Sequence, residues 1–205
     1  MTAATVEYAA IDFESAGTRP GGTDHPIQVG VAVMKDLHVG ADSGFVSYIS
    51  SSEPVTWKAR RVHGISDADL AGAPDMHALW PSLRGMLAGR WVVAHGAATE
   101  RRFLRAYPFH GFGPWVDTLK LSRALDPSRA SHTLGDLVED YGLVGEVTGM
   151  MPGFRWHDAL SDALASLVLL KFLILKYNLG GMDPSVLVNP DDSGFHREKS
   201  SRRFR

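Results

Sequence analysis

Cysteine is absent from all 205 residues, which excludes disulfides, thiolate metal sites and cysteine nucleophiles together. Excess charge of either sign is missing too: 21 Lys and Arg stand against 23 Asp and Glu, a net of −2. Taken alone, that balance speaks against a polyanionic partner. An uninterrupted apolar run is also lacking. The most apolar stretch, Ala159 to Tyr177, is broken by Asp162 and Lys171, whereas a membrane span needs about 20 residues nearly free of charge. It therefore reads as a buried core helix, and no membrane partner is expected. Met1 to Glu7 carry neither a basic segment nor an apolar one, so no secretory signal is read and a cytoplasmic location is expected.

What is present suffices for one sizeable core, since 44% of the residues are apolar. Val6–Glu14, Ile27–Met34 and Gly44–Ile49 read as strands joined by non-helical links, the second turn falling around Lys35–Ser43. Three such strands predict an antiparallel meander. The period then changes. Asp75–Leu87 carries apolar residues at helical spacing, although Pro81 should kink it or displace its start. Strands at Trp91–His95 and Trp115–Leu119 alternate with helices at Ala98–Tyr107, Thr133–Tyr141 and Asp158–Tyr177. The fold class is therefore α/β, a mixed five-stranded sheet flanked by helices, with parallel strands after the meander. Residues 1–178 form the domain and 179–205 a C-terminal extension. Its end, Phe195 to Arg205, holds five Lys or Arg against one Glu, and reads as a solvated tail or an electrostatic arm for a polyanion.

Three features carry chemistry. Asp12 and Glu14, two apart on the first strand, project from one face, and such a pair repels unless a cation lies between them. Carboxylate oxygens suit Mg²⁺ or Mn²⁺; a solvated strand end is the alternative. Glu100 opens a helix just after the strand ending at His95, at the carboxyl end where sites of open α/β sheets gather. Its alternative is a charge favoured by the helix dipole. His95 itself is either a substrate contact or a structural imidazole. His157 and Asp162 open the apolar helix. Five residues apart, they would diverge by about 140° on a continuous helix, and they converge if His157 precedes it with Asp158 as the N-cap. An unpaired carboxylate on a mostly buried helix is costly, so a metal or another site residue would account for Asp162.

In this order the segments resemble the DEDDh 3′→5′ exonucleases, the family of the polymerase III epsilon proofreading subunit, ribonuclease T and oligoribonuclease. The first motif is matched by Ile11–Gly17 (IDFESAG) with Ile27–Val33 (IQVGVAV), and the His-x-Ala-x-x-Asp-Ala motif by His157–Ala163 (HDALSDA). Val62–Ser66 (VHGIS) is similar to the Val-His-Gly-Ile-Thr segment of epsilon-type members, and Val116–Leu119 (VDTL) to their Asp-Thr-Leu strand. One motif departs: the family's His-Asn-x-x-Phe-Asp is here His95-Gly96-Ala97-Ala98-Thr99-Glu100. Charge is kept and the side chain is one methylene longer.

The resemblance implies a ribonuclease H-like fold and two-metal hydrolysis of phosphodiester bonds from a 3′ end, releasing nucleoside 5′-monophosphates. It implies two Mg²⁺ or Mn²⁺ ions bridged by Asp12, with Glu14 and Asp162 completing one site and Glu100 acting on the other. His157 would be the general base. Backbone at Ser15, Ala16 and Gly17 would approach the terminal nucleotide, and Phe154 and Trp156 would stack on a base or pack against the core. The Val62–Ser66 match favours DNA. An RNA exonuclease and a catalytically impaired nucleic-acid-binding module are the alternatives. Neither a polymerase-binding segment nor a clamp-binding peptide is visible, and a homodimer is left open. Setting the four proposed ligands aside leaves the chain at +2, so its acidity does not exclude a nucleic-acid partner.

Overall fold

The computed structural model describes residues 1–18, 20 and 23–188. Strict alternation along β1 (Tyr8–Ser15) divides the molecule into two faces. Ala9, Ile11 and Phe13 enter one apolar cluster, whereas Tyr8 and Ala10 enter the other. Asp12 and Glu14, in phase with Tyr8 and Ala10, share that second face. β2 (Pro26–Lys35) pairs antiparallel with β1, placing Gly30 opposite Asp12 and Gln28 opposite Glu14. β3 (His38–Tyr48) pairs antiparallel with β2. β4 (Trp91–Ala94) and β5 (Trp115–Asp117) add in parallel on the far side of β1. The order β3-β2-β1-β4-β5 is that of a five-stranded mixed sheet, in agreement with the expected ribonuclease H-like fold.

The helices are α1 (Trp57–His63), α2 (Met76–Leu87), α3 (Ala98–Phe103), α4 (Thr118–Leu125), α5 (Leu134–Asp140), α6 (Val144–Met150), α7 (Ala159–Lys176) and α8 (Ser185–Val188). α2 and α3 cover the Ala9–Ile11–Phe13 face through Leu79, Leu83, Leu87 and Phe103. α7 covers the other, its length matched by a nearly continuous row of buried Leu, Val and Ala. The first turn of α7 lies directly on the sheet because Gly30 has no side chain: a Cβ there would fall 2.2 Å from the Ala159 carbonyl carbon and the Leu160 nitrogen. Among the described residues, no helix is long and apolar enough to cross a membrane.

Several boundaries differ from the sequence reading. The β2–β3 turn is only Asp36-Leu37, both at positive φ (51° and 58°), so β3 begins well before Gly44. Paired left-handed residues make the tight hairpin turn, and a leucine there does not advertise it. The strand expected over Trp115–Leu119 stops at Asp117, whose carboxylate accepts from the Leu119 and Lys120 amides and starts α4 instead. Pro81 lies inside α2 without displacing its start, because Asp75 accepts from the Ala78 amide and caps it. α1, α6 and α8 have four to seven residues each, too few for a helical period to show. Within residues 179–188, Leu179 and Leu187 are buried, and Gly180 and Met182 accept from the Ala4 and Ala3 amides. The basic segment Phe195–Arg205 lies outside the described residues.

Candidate active site

Gln28 anchors the first turn of α7 over β1. Buried at 3% exposure, it donates from Nε2 to Asp158 Oδ2 (3.1 Å), and its Oε1 accepts from the Ala159 amide (3.0 Å). Asp158 is the N-cap, its Oδ1 accepting from the Ser161 amide and hydroxyl at 3.2 Å. Such a cap is worth about 1 kcal/mol. His157 therefore lies outside the helix at a left-handed φ of 60°, and its amide donates to Asp162 Oδ2 (3.2 Å). This is the geometry under which His157 and Asp162 were expected to converge.

The carboxylates meet between β1, α3 and α7. One ligand atom each from Glu14, His157 and Asp162 lies within 4.8 Å of the others. Asp12 lies within electrostatic reach of Asp162, Glu100, Glu14 and Asp158. Glu100 enters from the first turn of α3, 4% exposed. Two buried oxygens, Glu100 Oε2 and Asp162 Oδ1, have no hydrogen-bond partner among the described residues. Orphaned carboxylate oxygens facing like charges are what a divalent cation with oxygen ligands would satisfy, so the donor set fits Mg²⁺ or Mn²⁺. Burial first, and repulsion from Asp162 and Asp158 second, push Glu14 up to about 8. Burial likewise raises Asp162 and Glu100 to about 7, and burial with its four acidic neighbours holds Asp12 well above the usual carboxylate range.

A pH dependence of stability follows. In the unfolded chain these groups lose their protons near pH 4, while in the fold Glu14, Asp162 and Glu100 lose them only at about 7 to 8. The folded state binds more protons between those limits, so stability falls progressively as pH rises from about 4, and the loss is complete only above about 8. His63 and His95, lowered chiefly by burial, act in the opposite sense below about pH 6.5. Thermal unfolding in EDTA is therefore expected to show a lower melting temperature at about pH 8.5 than at about pH 6.5. Excess Mg²⁺ or Mn²⁺ should narrow the gap by binding the folded state. A melting temperature that rises with pH in EDTA would contradict the arrangement.

The loop after β1 is braced from behind. Ser15 accepts from His63 Nε2 (3.1 Å), whose Nδ1 accepts from the Ile65 amide (3.0 Å); that partner assigns the proton to Nε2. The Ala16 amide donates to the His25 carbonyl. Gly17 donates to Asp24 Oδ1 and packs so closely on Thr56 that a Cβ would lie 2.3 Å from its hydroxyl. Ser15, Ala16 and Gly17 thus form a fixed ledge beside Glu14.

Three expected substrate contacts have other engagements. His95 is taken at both ring nitrogens, by Thr118 Oγ1 and the His132 carbonyl, each at 2.9 Å, so it belongs to the scaffold. Phe154 and Trp156 meet edge to face at 4.8 Å and pack against the α7 core, in line with the packing alternative. Conversely, Gln28, His63 and Asp117 went unassigned in the sequence, although each lies in a segment quoted for the resemblance. Asp117 accepts from the Gly96 and Ala97 amides (3.1 and 3.2 Å), fixing the turn that delivers Glu100.

The exonuclease family (RNase T) matches residues 9–170. The chain is 28% identical over 192 residues to a PolC-type DNA polymerase III of Thermotoga petrophila, covering 91% of this chain and 13% of that protein. It is 30% identical over 122 residues to exodeoxyribonuclease 10 of Escherichia coli, covering 60% of this chain and 50% of that protein. It therefore spans at most half the length of either relative. Exonuclease X in complex with 5′ overhanging duplex DNA is similar in structure, with a TM-score of 0.72 at 22% identity over 89% of this chain and 99% of that one. The nuclease domain of 3′hExo, a DEDDh family member bound to rAMP, gives a TM-score of 0.68 at 15% identity over 88% and 97%. At these identities the likeness concerns the fold.

Proposed function

Because the chain belongs to the exonuclease family, we propose that its acidic cleft hydrolyses phosphodiester bonds from the 3′ end of nucleic acid, with DNA favoured, and releases nucleoside 5′-monophosphates. The observation that carries this is the cluster of ligand atoms from Glu14, His157 and Asp162, with Asp12 and Glu100 within electrostatic reach and orphaned oxygens on Glu100 and Asp162. Asp12, Glu14 and Asp162 would hold one divalent cation, and Asp12 with Glu100 a second. Such cations, when bound, screen the phosphate charge and make a water more acidic.

The residues of the chain supply the rest. His157 stands at the exposed rim, where its imidazole takes the proton of the attacking water. That water adds to phosphorus, the bond to the 3′ oxygen of the preceding nucleotide breaks, and that oxygen takes up a proton from solvent while His157 later returns its own to solvent. Asp162 fixes the main chain of His157 through its amide, so base and carboxylate move together. The ledge at Ser15–Gly17, braced by His63, gives the terminal nucleotide a backbone surface.

The DNA preference draws on the Val62–Ser66 segment and on the names of the relatives, whereas the rAMP complex of 3′hExo keeps the RNA alternative in view. Matched 3′-labelled DNA and RNA strands, with and without Mn²⁺, decide it. Faster release from DNA, dependent on Mn²⁺ and lost in His157→Ala, is the expected outcome. Unchanged release by His157→Ala would remove that residue as the base. Strand binding without metal-dependent hydrolysis would leave a binding module.

A further inference from the structure

Three grooves with shared walls follow one another across the surface, the first beginning at Thr18, next to the Gly17 ledge. The first, of about 490 Å³, lies between Thr18, Asp24, His25 and the Arg102–Phe103–Ala106 side of the segment that follows β4. Ala106 also lines the second, about 320 Å³, against Trp80 and Arg84. The turn Tyr107–His110 separates that groove from a third, about 570 Å³, which reaches Arg101, Arg105 and Trp115. Glu100 is buried on α3 while its neighbour Arg101 is exposed, so the helix connects the acidic cleft with this outer surface.

The surface is aromatic and cationic together. Trp80 and Tyr107 stack at 4.1 Å between ring centroids, 12° from parallel, and Phe112 and His110 close around them. At their edge Phe109 is 102% exposed, and its backbone sits at a φ of 63°, where an L side chain is strained. Arg84, Arg101 and Arg105 are exposed and form no ion pair among the described residues, whereas Arg102 pairs with Asp24 and Arg90 with Glu7. The carboxylate that acts on Tyr107 is Asp75, itself engaged by the Ala78 amide. Unpaired guanidinium groups around exposed rings match a chain of phosphates and bases.

We propose that this face binds a single-stranded stretch of the nucleic acid lying 5′ of the end being trimmed. Bases stack on Phe109 and the Trp80–Tyr107 pair, and phosphates meet Arg84, Arg101 and Arg105. The inference rests on the exonuclease reading and adds a length preference to it: strands long enough to follow the grooves are held, and very short ones are not.

The test uses oligothymidylates of about 3 and about 12 nucleotides and a variant combining Phe109→Ala, Arg84→Ala and Arg105→Ala. Arg101 is left intact because it adjoins Glu100. Fluorescence anisotropy in EDTA should show the longer strand bound about tenfold more weakly, with the salt dependence of log affinity shallower by about 1.4 for two lost phosphate contacts. Hydrolysis of the shorter strand in Mg²⁺ should stay within about twofold of the parent, and Phe109→Trp should restore part of the loss. Equal losses on both lengths, or undiminished binding of the longer strand, would overturn the proposal, the second outcome assigning the face to a protein partner. Should the parent protein hydrolyse neither strand, the exonuclease reading fails, while binding in EDTA still decides the fate of this surface.

Discussion

Asp12→Asn is expected to lower metal-dependent nucleotide release by about a thousandfold while raising the melting temperature of the metal-free protein. The two effects have one cause. Burial raises the cost of its charge, and the charges of Asp162, Glu100, Glu14 and Asp158 add to it. Without cations that crowding opposes folding at neutral and alkaline pH, and an amide of the same size relieves it. With cations the same negative charge is the attraction, so its loss should also remove most of the metal-induced rise in melting temperature. Product release and thermal unfolding, each measured in EDTA and in excess Mg²⁺, read both sides. A variant that is less stable than the parent in EDTA, or that keeps its activity, would overturn the assignment.

Gly30→Ala should cost about a hundredfold in rate, although the residue touches neither substrate nor metal. The new methyl group would stand 2.2 Å from main-chain atoms of Ala159 and Leu160, which have no rotamer to escape into. α7 must lift at its first turn, carrying Asp158, Asp162 and the His157 amide away from β1. A misplacement of ~1 Å at reacting groups costs ~10²-fold, and overpacking of this kind costs about 1–3 kcal/mol of stability. Gly44→Ala is the control. There the methyl group meets only the side chain of Leu160, at 3.0 Å from Cδ1, which can rotate. Its activity is expected within about threefold of the parent. Circular dichroism separates a displaced helix from an unfolded chain, and a fully active Gly30→Ala would show that this contact does not set the site.

The sheet and the carboxylates were legible because their periods are simple. The alternation of β1 puts Asp12 and Glu14 on one face in any structure that keeps the strand, and the long apolar run of α7 admits few homes. What escaped were features whose signal is a single side chain. Asp117 converts the end of an apolar strand into the start of α4 by one capping carboxylate, and Leu37 turns a hairpin at a φ that leucine seldom adopts. Gln28 and His63 act across distances of 130 and 48 residues, which no local pattern encodes. For His95 the sequence left a substrate contact and a structural imidazole both open for a related reason: its partners arrive from β5–α4 and the segment before α5.

Gly96, where the resembling family carries asparagine, has a φ of 87° and donates its amide to Asp117. Glycine and asparagine are the residues that enter the left-handed region at least expense. Glycine at this position therefore takes the left-handed turn without strain. Since the turn is pinned through main-chain amides at Gly96 and Ala97, the acid that follows can lengthen by a methylene without asking the backbone to change course.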